Sequence, residues 1–268
     1  MKARDEAGDA SQKHWERMAR EGCGFTRPWL NLDGALVRSY ARGELAPAPE
    51  PLNEMYPAGV LADVEGRDVL CLASGGGQQS AVFALLGARV TVVDLAEAQL
   101  DGDRAAASHY GYQVTTVHAD MRDLSCLETD SFDLVYQAPS MAYVPDVRRV
   151  YGEVVGLLRP GGVYRVEYTN PAVEFVDRED WDGEGYRVKR PYAERVRRRA
   201  DGAIDFRHYL SDIFNGLVSA GFSIQQVEEA PHYRRQPSDA KPGSWEHWLT
   251  YFAAFAVVAK KLRDVDGR

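Results

Sequence analysis

From residue 68 onward, short apolar runs rich in β-branched residues alternate with stretches whose apolar positions recur every three to four residues. The runs near 68–73, 89–94, 113–118, 132–137 and 163–169 predict strands, and the stretches near 77–87, 96–110, 147–158 and 212–220 predict helices. Apolar strands separated by helical periods form a parallel sheet, covered on both faces and joined by right-handed crossovers. Two more strands are expected near 222–229 and 252–259. Gly161 and Gly162, after Pro160, are expected to end the helix before the fifth strand.

The rhythm is absent from the first 58 residues. Residues 1–12 are charged, small and aperiodic, the composition of a disordered start. Ser11 is placed to cap a helix from Gln12 to Glu21, which carries Trp15 and Met18. Gly24 to Leu30 interrupts it, and a second amphipathic piece runs from Leu32 to Arg42 and stops at Gly43. Pro47, Pro49, Pro51 and Pro57 stiffen the connector that follows. The pattern divides the chain into a disordered start, helical cap and proline-rich connector (1–58), a core domain (59–262) and a tail (263–268). An insertion at about 171–208 departs from the core rhythm, being polar, aromatic and rich in arginine. Long insertions at the carboxyl end of a strand usually carry function.

Composition narrows the function. A chain of 268 residues with 45% hydrophobic content can bury a core, and its net charge of −8 disfavours nonspecific nucleic-acid binding. No apolar stretch approaches the roughly 20 residues that span a bilayer. Residues 1–13 lack a signal-peptide core. Cys23, Cys71 and Cys126 are scattered, which points to the reducing cytoplasm and to neither a disulfide framework nor a metal site. Nothing in the sequence argues against a homo-oligomer.

The candidate chemistry lies where the first strand runs into Ser74, Gly75, Gly76 and Gly77, and where the second strand ends on Asp94. A strand, a glycine turn, a helix and a strand ending in a carboxylate form a nucleoside-binding βαβ unit, with the acid placed to accept hydrogen bonds from ribose hydroxyls. The turn is not a full dinucleotide fingerprint. Gly75 and Gly77 fit the first two positions of G-x-G-x-x-G, but Ser80 stands at the third, and no second nucleotide-binding half follows. Further landmarks are Ala119-Asp-Met121, Ser131-Phe-Asp-Leu-Val-Tyr136, Leu157-Leu-Arg-Pro-Gly-Gly-Val-Tyr164 and Leu217-Val-Ser-Ala-Gly-Phe222.

In this order and spacing, over roughly residues 60–260, these motifs resemble class I S-adenosylmethionine-dependent methyltransferases of the small-molecule type with an amino-terminal helical cap. The resemblance implies an α/β, Rossmann-like, seven-stranded mixed sheet, parallel except for one antiparallel edge strand, with helices on both faces. It implies S-adenosyl-L-methionine as cofactor. The methionine part would lie over Ser74, Gly75 and Gly77, with backbone N–H groups at the following helix start facing its carboxylate. Asp94 would hold the ribose, with Leu95 and Gln99 beside it, and Asp120 and Met121 would meet the adenine. Gln137, at the end of the fourth strand, is a candidate for the methionine part or the substrate, and Arg27 for the cofactor carboxylate. The family usually carries an acidic residue just before the turn. None stands in Leu72-Ala-Ser74, so the partner of the cofactor amino group is open.

Methyl transfer is an in-line displacement at a sulfonium, so the protein must align a nucleophile and exclude water. A base is needed only for a poor nucleophile. Candidates are His208, Glu167, Glu174 and the pair Glu246-His247, with His208 preferred because its ordinary pKa suits a base near neutrality. Tyr143, Tyr168, Tyr186 and Arg207 are expected at the acceptor. The arginines from Arg187 to Arg207, interleaved with aromatics, suit an apolar or aromatic small molecule bearing an anionic group, such as a secondary metabolite. Arg195 to Arg199 also read as one solvated helix face. Two alternatives remain. RNA methylation is disfavoured by charge and by Asn170-Pro171 continuing as Ala172-Val173. The other is a ligand-binding protein or an enzyme of another reaction type on this fold.

Overall fold

The structure is a computed structural model that describes residues 5–231, 240–252 and 254–262. Its centre is a sheet of strands β1 (Asp68–Leu72), β2 (Arg89–Asp94), β3 (Val114–His118), β4 (Phe132–Gln137), β5 (Leu158–Thr169), β8 (Phe222–Glu229) and β9 (Ala254–Lys261), in the order β3-β2-β1-β4-β5-β9-β8. The first five pair in parallel. β9 runs antiparallel to both β5 and β8, one place in from the edge. Helices α3 (Gln79–Leu85), α4 (Glu97–Tyr110), α5 (Val147–Leu157) and α6 (Leu210–Ser219) connect the strands.

Strand alternation builds the two core layers. On β1, Leu70 and Leu72 face the layer containing Tyr151, Val154 and Leu217, while Val69 and Cys71 face Val82, Phe83 and Leu100. All four β1 residues are fully buried, and each buried aliphatic side chain contributes about 1.5–3 kcal/mol. This double burial is why the strand reads as a continuous apolar run rather than an alternating one.

Three expectations need correction. The helix before the fifth strand stops at Leu157, and Leu158 already pairs with Phe132; the next pair is Leu134 with Val163. Pro160, Gly161 and Gly162 therefore form an irregularity inside β5, with Gly161 at φ 84. The start of the chain is helical earlier than its composition indicates. Helix α1 spans Glu6–Arg20, and Asp5, not Ser11, caps it by accepting from the Gly8 N–H at 3.0 Å. Finally, Arg195 to Arg199 do not lie on a helix. They feed the hairpin of β6 (Val196–Arg198) and β7 (Ile204–Phe206). Residues 1–4 of the expected disordered start and the expected tail 263–268 lie outside the described residues. Among the described residues no helix is long and apolar enough to cross a membrane.

Two elements cover the carboxyl edge of the sheet. One is α1, followed by α2 (Gly34–Ala41); the other is the β6–β7 hairpin. They meet through Arg17, which donates to the Asp201 carbonyl at 3.2 Å and carboxylate at 3.3 Å, and through the ion pair of Arg198 with Glu6. His14 packs between Asp201, at 3.3 Å, and the Tyr143 ring.

Candidate functional site

Beneath these elements lies a cleft of about 850 Å³ at the carboxyl ends of β1, β2, β4 and β5. This is where ligands sit in open α/β sheets, at the point where strand order reverses. At one end, Gly75 donates its N–H to Asp94 Oδ2 at 3.0 Å. A Cβ on Gly75 would stand 2.5 Å from Gln99 Cβ and 2.9 Å from Asp94 Oδ2, so only glycine fits. Ser74 spans the strand ends, donating to the Leu72 carbonyl and accepting from the Ala138 N–H.

The rest of the turn is held from below. Asp103 of α4 is fully buried and accepts from Gly76 N–H at 3.1 Å, Gly77 N–H at 3.1 Å and Ser80 Oγ at 2.5 Å. Burial pushes its carboxyl up to about 7 against those donors. The N–H groups of Gly76 and Gly77 are therefore engaged within the protein, and Gly77 lies off the cleft, whereas Gln78 and Gln79 at the helix start line it. Asp103 was not singled out from the sequence. Its signal was readable: it shares the buried face of α4 with Gln99, Leu100, Ala106 and Ala107, where an unpaired carboxylate is costly.

Asp94 is buried, with Oδ1 accepting from Ala96 N–H at 2.9 Å as well as Oδ2 from Gly75. Burial raises it to about 6, opposed by these backbone donors. With Leu95 as a third backbone donor, the carboxylate still keeps a lone pair for a ligand hydroxyl. Beside it, Gln99 Oε1 is buried without a partner, and Leu95 lines the cleft. The neighbouring helix α4 has no cap of its own at Ala96. Glu16 of α1 supplies one, its Oε1 accepting from Glu97 N–H at 2.7 Å and Ala98 N–H at 3.4 Å. Asp120 and Met121 also line the cleft. Asp120 is clamped by Arg122, whose other nitrogen reaches Asp5 at 2.7 Å and so ties the start of α1 to the end of β3.

The far end is aromatic and mixed in charge. Tyr143, Tyr168, Glu167 and His208 line it, together with Glu174, Trp245 and Trp248. His208 Nε2 lies 3.0 Å from the Met141 carbonyl and so carries the donated proton. Burial lowers its pKa, keeping the ring neutral. Glu167 accepts from Arg165 Nη2 at 2.7 Å, and burial raises its pKa. Arg165, which is fully buried, also donates to the carbonyls of Tyr56 at 2.9 Å and Gln137 at 3.2 Å. The tyrosine pair Tyr168 and Tyr151 share a hydrogen bond of 2.7 Å.

Other expected site residues fall elsewhere. Arg27 is exposed and donates to the Gly22 carbonyl at 2.6 Å. Gln137 turns into the core, where Tyr164 donates to its Oε1 and its amide reaches Ser140 Oγ at 2.9 Å. His247 Nδ1 is held by the Tyr186 hydroxyl at 3.0 Å, inside a ring cluster with Trp181 and Tyr251 that does not border the cleft. Arg207 donates to the carbonyls of Pro191, Tyr192 and Glu194, and lies over the Phe175 ring. These four, with Tyr186, are held by the protein's own groups and do not meet at the cleft. The arginine cluster is likewise engaged: Arg187, Lys189, Arg190, Arg195, Arg197, Arg198 and Arg199 each carry a carboxylate partner.

Residues 70–166 match the family model described as a methyltransferase domain. An uncharacterized methyltransferase of Bacillus subtilis, YbaJ, is 31% identical over 225 residues, covering 80% of this chain and 87% of that protein. A demethylmenaquinone methyltransferase of Clavibacter sepedonicus is 37% identical over 120 residues, and the match spans only 48% of its length. Among solved structures, an S-adenosylmethionine-dependent methyltransferase from Mesorhizobium loti superposes with TM-score 0.62 at 27% identity, over 78% of this chain and 98% of that one. The glycine that admits no Cβ, the carboxylate at the end of β2 and the unpartnered Gln99 oxygen suit the nucleoside and amino-acid parts of that cofactor. The chain belongs to the class I S-adenosylmethionine-dependent methyltransferases.

Proposed function

We propose that this enzyme methylates a small molecule with an apolar or aromatic body, received at the end of the cleft beneath α1 and the β6–β7 hairpin. The supporting observation is the enclosure itself. Trp15 from the cap and Trp245 and Trp248 from helix α7 (Trp245–Leu249) border a cleft where Arg122, Arg165, Arg197 and Arg199 are ion-paired and Arg178 lies over the Trp245 ring, an arrangement unlike a basic track for a polynucleotide. The relative named for demethylmenaquinone methylation supports a small acceptor. When bound, the cofactor supplies an electrophilic methyl on a positively charged sulfur. In this reading Asp94 accepts from the ribose hydroxyls, Leu95, Gln99 and Met121 surround the nucleoside, Asp120 faces the adenine edge, and Ser74 and Gly75 form the floor under the methionine part. Tyr143 and Tyr168 shape the acceptor end, Arg165 fixes Glu167, and neutral His208 offers a lone pair there. The cap excludes water from the sulfonium. Three free cysteines fit work in the cytoplasm. The test is transfer of labelled methyl from cofactor into cell extract, with and without ribonuclease. Label in ribonuclease-resistant, low-mass material is expected; label confined to RNA or protein overturns the proposal.

A further inference from the structure

Among the described residues, four buried side-chain oxygens on the cleft wall have no partner in the protein: Asn53 Oδ1, Gln79 Oε1, Gln99 Oε1 and the Tyr136 hydroxyl. A buried polar atom without a hydrogen bond is costly, and on the wall of a binding cleft the missing partner is the ligand. Gln99 belongs with Asp94, since its Cβ and Asp94 Oδ2 both crowd the place a Cβ on Gly75 would take. The other three oxygens come from separate elements that meet. Gln79 opens α3 directly after the glycine turn, and Phe83, one helical turn along, meets the Tyr136 ring at 5.3 Å. Tyr136 is only 1% exposed, and its carbonyl accepts from Ser74 Oγ at 3.4 Å. Arg165 lies over the Tyr56 and Tyr136 rings, at 4.9 Å and 4.4 Å, and donates to the Tyr56 carbonyl at 2.9 Å. This draws the proline-rich connector, which carries Asn53 just before Tyr56, onto the same wall.

The two amide oxygens can only accept, and the hydroxyl oxygen can accept as well. The charge on this wall has the same preference. Arg165 is engaged by Glu167 at 2.7 Å and by the carbonyls of Tyr56 and Gln137. Residues 45–58 bring Glu50 and Glu54 to the cleft and contain no basic residue. A cationic group with several N–H donors fits such a wall, and a carboxylate, which only accepts, does not. The methionine part of the cofactor carries one group of that kind, a primary ammonium. We infer that Asn53 Oδ1, Gln79 Oε1 and the Tyr136 hydroxyl hold the α-ammonium of S-adenosylmethionine, in place of the acidic residue that Leu72-Ala-Ser74 lacks. The inference rests on the cofactor and not on the acceptor proposed above.

The protein is titrated by calorimetry at pH 7 with three ligands: S-adenosylhomocysteine, its analogue lacking the amino group, and methylthioadenosine, which keeps the nucleoside without the amino-acid part. The parent is expected to bind S-adenosylhomocysteine at least about tenfold tighter than the deamino analogue, as hydrogen bonds to a charged group require. Asn53→Leu, Gln79→Leu and Tyr136→Phe should each weaken S-adenosylhomocysteine by about three- to thirtyfold. The other two ligands should bind these variants within about twofold of the parent. Gln79→Glu supplies the sign. Opposite a cation its carboxylate should tighten S-adenosylhomocysteine at least about threefold at low salt, a gain that shrinks as salt is added. Opposite the cofactor carboxylate it would weaken the same ligand. Unchanged S-adenosylhomocysteine affinity in the three truncated variants, an equal loss for the deamino analogue, or weaker binding by Gln79→Glu overturns the inference. Loss of methylthioadenosine binding in the truncated variants overturns it as well, because the oxygens would then support the pocket rather than the ammonium. The fate of labelled methyl in cell extract bears on the acceptor and on none of these outcomes.

Discussion

Removing the carboxylate of Glu16 should release the cap without touching the cleft wall. Glu16 sits on α1, is only 17% exposed, and closes the open end of α4 through Glu97 and Ala98. Losing an N-cap acceptor costs about 0.5–2 kcal/mol. The negative charge at a helix amino end adds about 0.3–1 kcal/mol. Together Glu16→Ala should lower the free energy of cap opening by about 1–3 kcal/mol, a rise of about 5- to 150-fold in the open population. Hydrogen exchange reads this directly: amides of α1 and the Glu97 N–H should lose protection by that factor. Glu16→Gln keeps an acceptor oxygen and should lose only the charge contribution. Adding S-adenosylhomocysteine should restore part of the protection in each variant. Protection of α1 and Glu97 within twofold of the parent in Glu16→Ala would refute the reasoning, because α4 would then not depend on the cap for its first turn.

Four further outcomes follow from the structure. Asp94→Ala should weaken S-adenosylhomocysteine binding by about 1–3 kcal/mol by calorimetry. In the parent, where burial raises Asp94 to about 6, affinity should fall about tenfold per pH unit below that value as the acceptor oxygen takes a proton; affinity flat from pH 7 to pH 5 would place the ribose elsewhere. Gly75→Ala introduces a Cβ 2.9 Å from Asp94 Oδ2 and should weaken the same ligand at least about tenfold. His247→Ala should lower thermal stability, since it strips a buried partner from Tyr186 at about 1–3 kcal/mol, while label transfer per folded molecule in extract stays unchanged; a loss of transfer at full stability would return His247 to the reaction.

The strands and crossovers were legible because their signal is local. Val69 to Leu72 is apolar throughout because both faces are covered, and a glycine turn followed by a strand ending on Asp94 is short-range syntax. The candidate positions on the two strand ends, which the structure brings to one cleft, could be read for the same reason. Side-chain direction was not legible. Gln137 and Ala138 are neighbours, yet only Ala138 borders the cleft while Gln137 turns under the sheet, because successive strand residues face opposite sides. In the insertion, periodicity carried no register, so adjacent Arg207 and His208 diverge: one holds loop carbonyls and the other lines the cleft. Long-range ion pairs were invisible too. A run of arginines reads as an open cationic surface until Asp177, Asp201, Asp205 and Asp212 are folded against it.

The way α1 is fastened has a consequence for how the molecule is made. Its contacts close loops of 81 residues to Glu97, 117 to Arg122, 184 to Asp201 and 192 to Arg198. A chain synthesised from its amino end exposes α1 long before those partners exist, and long closures are slow and entropically unfavourable. The first helix in the sequence is thus among the last to find its place, and the cleft acquires its roof only after the hairpin has emerged. A ribosome-bound chain ending before Asp201 would carry the glycine turn after β1 but not the closure, leaving an amphipathic helix in need of shielding during translation.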